Sequence, residues 1–260
     1  MFYYEGQFYE GSSISLNIND STWLYGATVF TTMRVYEQSL NHPLTNWQKH
    51  CDRLLKSIKE LNWTSPDWKL IKQEVEQLLI YFPVIRITVF PDGRELIIGR
   101  QLPTNLLQKQ REGIKGLVCL NPSIQRSIPE HKTGNYLAPW LALQQAQKQG
   151  YQEAILTNIE QNWLETSTGN LWGYKQGIWF TPNLAQGILP GIARQTIIDK
   201  AQFPIEINQW TPDFINDLEA IAYSNSVIEI IPFNKIMNGE KVIDYDYNHP
   251  AYKTLRGIFN

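Results

Sequence analysis

The chain has 260 residues, 43% of them hydrophobic and 12% aromatic, and 23 basic side chains stand against 25 acidic ones. That apolar content supports a folded globule rather than a disordered chain, and the balanced charge without a basic stripe argues against a nucleic-acid surface. The opening MFYYEGQFYEG lacks the features of a secretory signal, no apolar run reaches membrane-spanning length, and Cys51 and Cys119 have no metal-ligand spacing, so a cytoplasmic protein with no metal and no membrane contact is expected.

Residues 2–10 alternate aromatic and polar side chains around Glu5-Gly6, which predicts a short hairpin. Thr28 to Tyr36, within LYGATVFTTMRVYEQSL, is rich in β-branched and aromatic residues and reads as a strand. Between 45 and 62, Trp47, Cys51, Leu54, Leu55, Ile58 and Leu61 recur at helical intervals, with Thr45 or Asn46 placed to cap the start. Ser65-Pro66-Asp67 opens a second helix that Pro83 ends, and VIRITVF and RELIIGR are strands joined by Pro91-Asp92-Gly93. Leu102 to Gly113 turns polar and reads as a connector, which divides the chain into domains of residues 1–106 and 107–260.

The second half begins with a strand, GLVCL, and a Pro/Ser loop, NPSIQRSIPE. A helix from about Asn135 to Gly150 follows, then strands EAILTN, LWGYK and GIWFTP and a helix after Gly191. A strand near 203–208, a short helix around Asp213, strands AIAYSN and IEIIPFNKI, and a terminal helix over 248–260 complete the chain. Strands and helices mixed in two lobes make the fold class α+β, and the absence of GxGxxG argues against a doubly wound dinucleotide-binding sheet.

The stretch from His131 to Arg194 carries the chemistry. Lys132 sits where a loop meets an amphipathic run, an acidic strand end, LETSTGN, follows, and the turn ILPGIAR opens a further helix. That order suits pyridoxal 5'-phosphate (PLP). A lysine amine can hold its aldehyde as a Schiff base, a carboxylate can keep its pyridine nitrogen protonated, and amides at a helix start can hold its phosphate.

In order and spacing, the blocks LYGATVFTTMRVY, HCDRLLKS, HKTGNYL, EAILTN, LETSTGNLW, TPNLAQGILPGIAR and YSNSVIEIIPF resemble the class IV, fold-type IV PLP enzymes nearly end to end. That group includes branched-chain aminotransferases, D-amino-acid aminotransferases and aminodeoxychorismate lyases. The resemblance implies a smaller N-terminal α/β domain, a larger C-terminal barrel-like domain and a homodimer. It implies that Lys132 holds the cofactor and shuttles protons, that Glu165 pairs with the pyridine nitrogen, and that Arg53, in His50-x-x-Arg53-Leu54, reaches the phosphate. His50 is expected to be structural. Ile192 and Ala193 would give backbone amides to the phosphate, and the Ser224-Asn225-Ser226 turn would supply Asn225 and Ser226 to the same end of the site. Ala193 stands where branched-chain aminotransferases usually have threonine, which weakens the resemblance to that subgroup.

Three features lean the expected reaction towards 4-amino-4-deoxychorismate lyase, which releases pyruvate and 4-aminobenzoate in folate biosynthesis. Thr31-Thr32 stand where branched-chain enzymes tend to have Glu-Gly, SNSVIEIIPF is similar to the lyase loop, and the chain is short. HKTGNYL, by contrast, is similar to the aminotransferases' lysine segment. A substrate with two carboxylates calls for cationic groups, so Arg86 and Arg94 are expected to bind it beside Thr32, with Arg126 as a further candidate. The alternatives are a class IV aminotransferase acting on branched-chain or D-amino acids, and a PLP-binding protein without turnover.

Overall fold

Glu5 and Gly6 both take positive φ, 51° and 72°, the geometry of a two-residue hairpin turn, so β1 (Phe2–Tyr4) and β2 (Gln7–Tyr9) pair antiparallel as predicted. The computed structural model describes residues 1–121 and 123–260; Pro122, in the expected Pro/Ser loop, lies outside the described residues. Contacts group the chain into two units, Met1–Pro103 with His131–Asn135, and Thr104–Glu130 with Tyr136–Asn260.

In the first unit, α1 (Ser21–Tyr25), β3 (Val29–Arg34), α2 (Trp47–Glu60), α3 (Trp68–Leu78), β4 (Val84–Val89) and β5 (Glu95–Arg100) follow the hairpin. The sheet runs β2-β1-β5-β4-β3, antiparallel throughout. Leu54 and Ile58 of α2 and Ile71, Val75 and Leu78 of α3 share a core with Met33, Ile85, Ile87 and Ile97 of the sheet. The start of α2 differs in detail from expectation. Asn46 occupies the cap position at φ 54° without capping the helix through its side chain, and its amide donates to the Leu44 carbonyl instead (2.9 Å).

This core also encloses a carboxylate. Glu74 of α3 is 2% exposed, and neither of its oxygens has a hydrogen-bond partner among the described residues. Burial, then the Glu95 and Asp67 carboxylates, push it from an ordinary 4.5 up to about 7. The folded state therefore holds a proton that the unfolded chain has released, and stability falls as pH rises between those two values, by up to about 3 kcal/mol. Glu74→Gln is expected to melt several degrees above the parent at pH 8, with the gap closing towards pH 5. Melting curves with the same gap at both pH values would contradict this assignment.

The second unit contains α4 (Leu106–Glu112), β6 (Ile114–Cys119), α5 (Leu137–Lys148), β7 (Glu153–Thr157), β8 (Trp163–Thr166), β9 (Asn170–Lys175) and β10 (Ile178–Pro182). It continues with α6 (Ile192–Lys200), β11 (Ile205–Asn208), α7 (Pro212–Asn216), β12 (Ala220–Asn225), β13 (Glu229–Asn238), β14 (Lys241–Asp244) and α8 (Tyr252–Arg256). The expected connector thus carries a helix, α4, anchored by buried Leu106 and ended by Gly113 at φ 71°. The expected terminal helix is shorter than 248–260, five residues of α8 followed by a 3₁₀ turn.

Strands are ordered β11-β10-β9-β12-β13-β6-β7-β8, with β14 beside β13. The two ends of this order meet: Trp163 of β8 bridges Trp210, just past β11, and its N–H donates to the Trp210 carbonyl at 2.9 Å. Both tryptophans are buried, and the bridge curls the sheet into a barrel. The parallel pair β6 and β7 is linked through α5, which covers Leu117, Cys119, Ala154 and Leu156 with Ala142 and Ala146.

Candidate active site

Lys132 is pinned by its main chain. Phe30 N–H donates to the Lys132 carbonyl (2.8 Å), Gly134 N–H donates to the Thr28 carbonyl (2.7 Å), and Val29 bridges Thr133, so the segment adds a rung to edge strand β3. A Cβ on Gly134 would stand 2.1 Å from Thr28 Oγ1, so only glycine allows this approach. Successive side chains leave such a rung on opposite faces. His131 turns towards α2, with Nδ1 at 3.0 Å from Ser57 Oγ, while Lys132 Nζ lies 4.7 Å from the centre of the Phe30 ring.

Arg86 joins Lys132 there. Its guanidinium lies 3.6 Å from the centre of the same Phe30 ring, and Arg86 pairs directly across from Thr32. Lys132, Thr32 and Arg86 are therefore brought together in the first unit. Thr31 points to the helix side, where it meets His50 Nδ1 (2.5 Å) and accepts from Arg53 Nη2 (2.8 Å). His50 is buried, and desolvation, then the charges of Arg53 and Lys132, hold its pKa well below the usual value.

Arg94 is engaged elsewhere. It donates to Asp20 (2.6 Å), Asp92 (2.7 Å) and the Tyr4 hydroxyl (2.7 Å), tying the 91–93 turn to the cap of α1. Its charge is met by these carboxylates.

In the second unit Glu165 is 4% exposed on β8. Arg126 Nη1 lies 3.3 Å from its Oε1, and Leu189 N–H donates to its Oε2 at 3.2 Å. The pair borders a cavity of about 140 Å³, also lined by Pro129, Leu156, Leu164 and Gly187. The loop that supplies the Leu189 N–H also sets the start of α6: Asn170 Nδ2 donates to the Leu189 carbonyl (2.9 Å), and a Cβ on Gly191 would stand 2.0 Å from Asn170 Oδ1. Gly191 caps α6 without a side chain, so the Ile192 and Ala193 N–H groups of the first turn have no acceptor within the helix. Arg194, buried and drawn down to about 10 by desolvation, anchors this helix to Thr181 Oγ1 and the Pro182 carbonyl, both at 3.1 Å.

In the Ser224-Asn225-Ser226 turn, Asn225 Oδ1 accepts from Val227 and Ile228 N–H, its amide donates to the Thr168 carbonyl, and Ser224 Oγ accepts from Trp172 Nε1. The Asn225 side chain thus builds the turn that presents Ser226. Sequence reasoning missed Glu153. This buried carboxylate accepts from Ser167 Oγ, from Thr168 Oγ1 (2.5 Å) and from Ala154 N–H (2.9 Å), and so braces the turn directly after Glu165. Its place in the EAILTN block, two positions after Tyr151, gave no sign of those partners.

These groups fit PLP. Glu165 is a buried carboxylate, the type of group that can keep a ring nitrogen protonated, and Gly191 leaves the amides at the start of α6 uncovered by a capping side chain. Lys132 supplies the amine on a main chain fixed by two hydrogen bonds.

A family model described as amino-transferase class IV matches residues 28–236. An aminodeoxychorismate lyase from Vibrio harveyi is 23% identical over 247 residues, covering 88% of this chain and 90% of that protein. A D-alanine aminotransferase from Listeria monocytogenes is 27% identical over 263 residues, covering 90% and 86%. The PLP-bound form of a hypothetical aminotransferase from Mycobacterium tuberculosis matches the structure with a TM-score of 0.82 at 15% identity, over 99% of this chain and 98% of that one. This likeness shows a shared fold, and the fold-type IV reading of the sequence holds.

Proposed function

Because the chain belongs to the class IV aminotransferase family, whose enzymes depend on PLP, we propose that it is a cytoplasmic 4-amino-4-deoxychorismate lyase of folate biosynthesis. The observation that carries this reading is the cluster on β3 and β4. Lys132 Nζ and the Arg86 guanidinium share the Phe30 ring, and Thr32 stands directly across from Arg86. A proton-transferring amine beside a fixed guanidinium suits a substrate that carries carboxylates near its reacting carbon.

In this proposal Lys132 Nζ carries the cofactor's aldehyde, and Glu165 faces the ring nitrogen. The phosphate is held by Arg53, by the Ile192 and Ala193 amides and by the Asn225-Ser226 turn. When bound, PLP supplies an electron sink for the carbon that loses its proton. Once the substrate's amine has displaced it from that aldehyde, Lys132 Nζ takes that proton from C4 of the substrate, and Arg86 holds a substrate carboxylate. The C3–O bond breaks, the ring becomes aromatic, and Lys132 is placed to return a proton to the departing three-carbon unit as pyruvate.

A homodimer is part of the proposal, supported by α1, where Trp23 and Tyr25 are 73% and 74% exposed. A second reading, a D-amino-acid aminotransferase using the same Lys132 and Glu165, draws support from the Listeria relative. Feeding freshly made 4-amino-4-deoxychorismate to the PLP-loaded protein is expected to release 4-aminobenzoate and pyruvate in equal amounts. No product, together with conversion of the cofactor to pyridoxamine phosphate by D-alanine, would replace the lyase with the aminotransferase. Neither response, with PLP still bound, would leave a binding protein without turnover.

A further inference from the structure

Three side chains in the first unit form a hydrogen-bond chain. An arginine can only donate, so Thr31 Oγ1 accepts from Arg53 Nη2 (2.8 Å). Thr31 Oγ1 also lies 2.5 Å from His50 Nδ1, and it donates its hydroxyl proton there when that nitrogen is unprotonated. For Nδ1 to accept, His50 must be neutral and carry its proton on Nε2. Its burial, and the charges of Arg53 and Lys132, enforce that neutral state. Strand alternation turns Thr31 to the α2 side, and it is fully buried there.

We propose that Thr31 is a positioning residue: by linking Arg53 to His50 it fixes the plane of the Arg53 guanidinium for the cofactor phosphate. This rests on the reading above that Arg53 faces that phosphate. A carboxylate at position 31 would hold the guanidinium equally well but would oppose its charge. A hydroxyl backed by a neutral imidazole orients Arg53 and adds no negative charge, so the attraction for a phosphate dianion is kept.

The test is titration of the apo protein with PLP and, separately, with pyridoxal, which lacks the phosphate, for the parent, Thr31→Val, Thr31→Ser, Arg53→Gln and the double variant Thr31→Val/Arg53→Gln. Thr31→Val is expected to weaken PLP about tenfold, the effect of one hydrogen bond to a charged group, and to leave pyridoxal affinity unchanged. Thr31→Ser should bind both as the parent does, and the double variant should bind PLP no worse than Arg53→Gln alone. Long-range ¹H–¹⁵N spectra should show the Nε2–H tautomer of His50 in the parent and lose it in Thr31→Val. Equal weakening of PLP and pyridoxal would mean general damage and overturn the proposal. So would additive losses in the double variant, or parental PLP affinity in Thr31→Val beside weak Arg53→Gln. Parental affinity in Arg53→Gln would instead overturn the assignment of Arg53 to the phosphate, and with it the role given to Thr31.

Discussion

Lys132→Ala is expected to abolish turnover with every substrate of the protein, by at least about 10⁴-fold, while leaving the fold intact. The two halves of that expectation have separate causes. The main chain at Lys132 is held by hydrogen bonds from Phe30 and Gly134, and neither involves the side chain, so truncation leaves the rung on β3 in place. What is lost is the amine beside Phe30, the group proposed both to carry the cofactor and to move the C4 proton. A melting temperature within a few degrees of the parent, with steady-state activity at background, is the expected pair of results. Activity within tenfold of the parent would remove Lys132 from the mechanism.

Gly191→Ala is expected to weaken PLP binding more than tenfold and to destabilise the fold by about 1–3 kcal/mol. The added methyl would stand 2.0 Å from Asn170 Oδ1, and Asn170 cannot swing aside, because it is buried and its amide is bonded to the Leu189 carbonyl. Relief requires moving the start of α6 or breaking that bond, and Leu189 also donates to Glu165. One methyl therefore disturbs both the amides proposed for the phosphate and the carboxylate proposed for the ring nitrogen. A PLP titration and a thermal melt check both effects, and parental values in both would show that the loop has slack the structure does not.

Where a signal was local, the sequence read well. The Glu5-Gly6 turn, the helical spacing of Trp47, Cys51, Leu54 and Ile58, and the Pro91-Asp92-Gly93 turn each have their cause within a few residues, and each element appears where expected. The candidate site was legible as an order of residue types: a lysine, then an acid, then a glycine-rich helix start. What stayed hidden depends on partners distant in sequence. The bonds from Arg94 to Asp20 and Tyr4, 74 and 90 positions away, have no local signal. The sequence offers Arg126 only as a substrate contact, yet it pairs with Glu165, 39 positions on. The link from Thr31 to His50 and Arg53, the brace from Glu153 to Thr168 and the closure of the barrel through Trp163 and Trp210 likewise require the folded chain. The connector was read from its polar composition, which concealed α4, a helix with one buried side chain.

Borohydride reduction of the PLP-loaded protein, followed by peptide mapping, tests whether Lys132 carries the cofactor. A single phosphopyridoxyl group is expected on the peptide containing Lys132, absent from Lys132→Ala. Stoichiometric label on any other lysine, with Lys132 unmodified, would contradict that role.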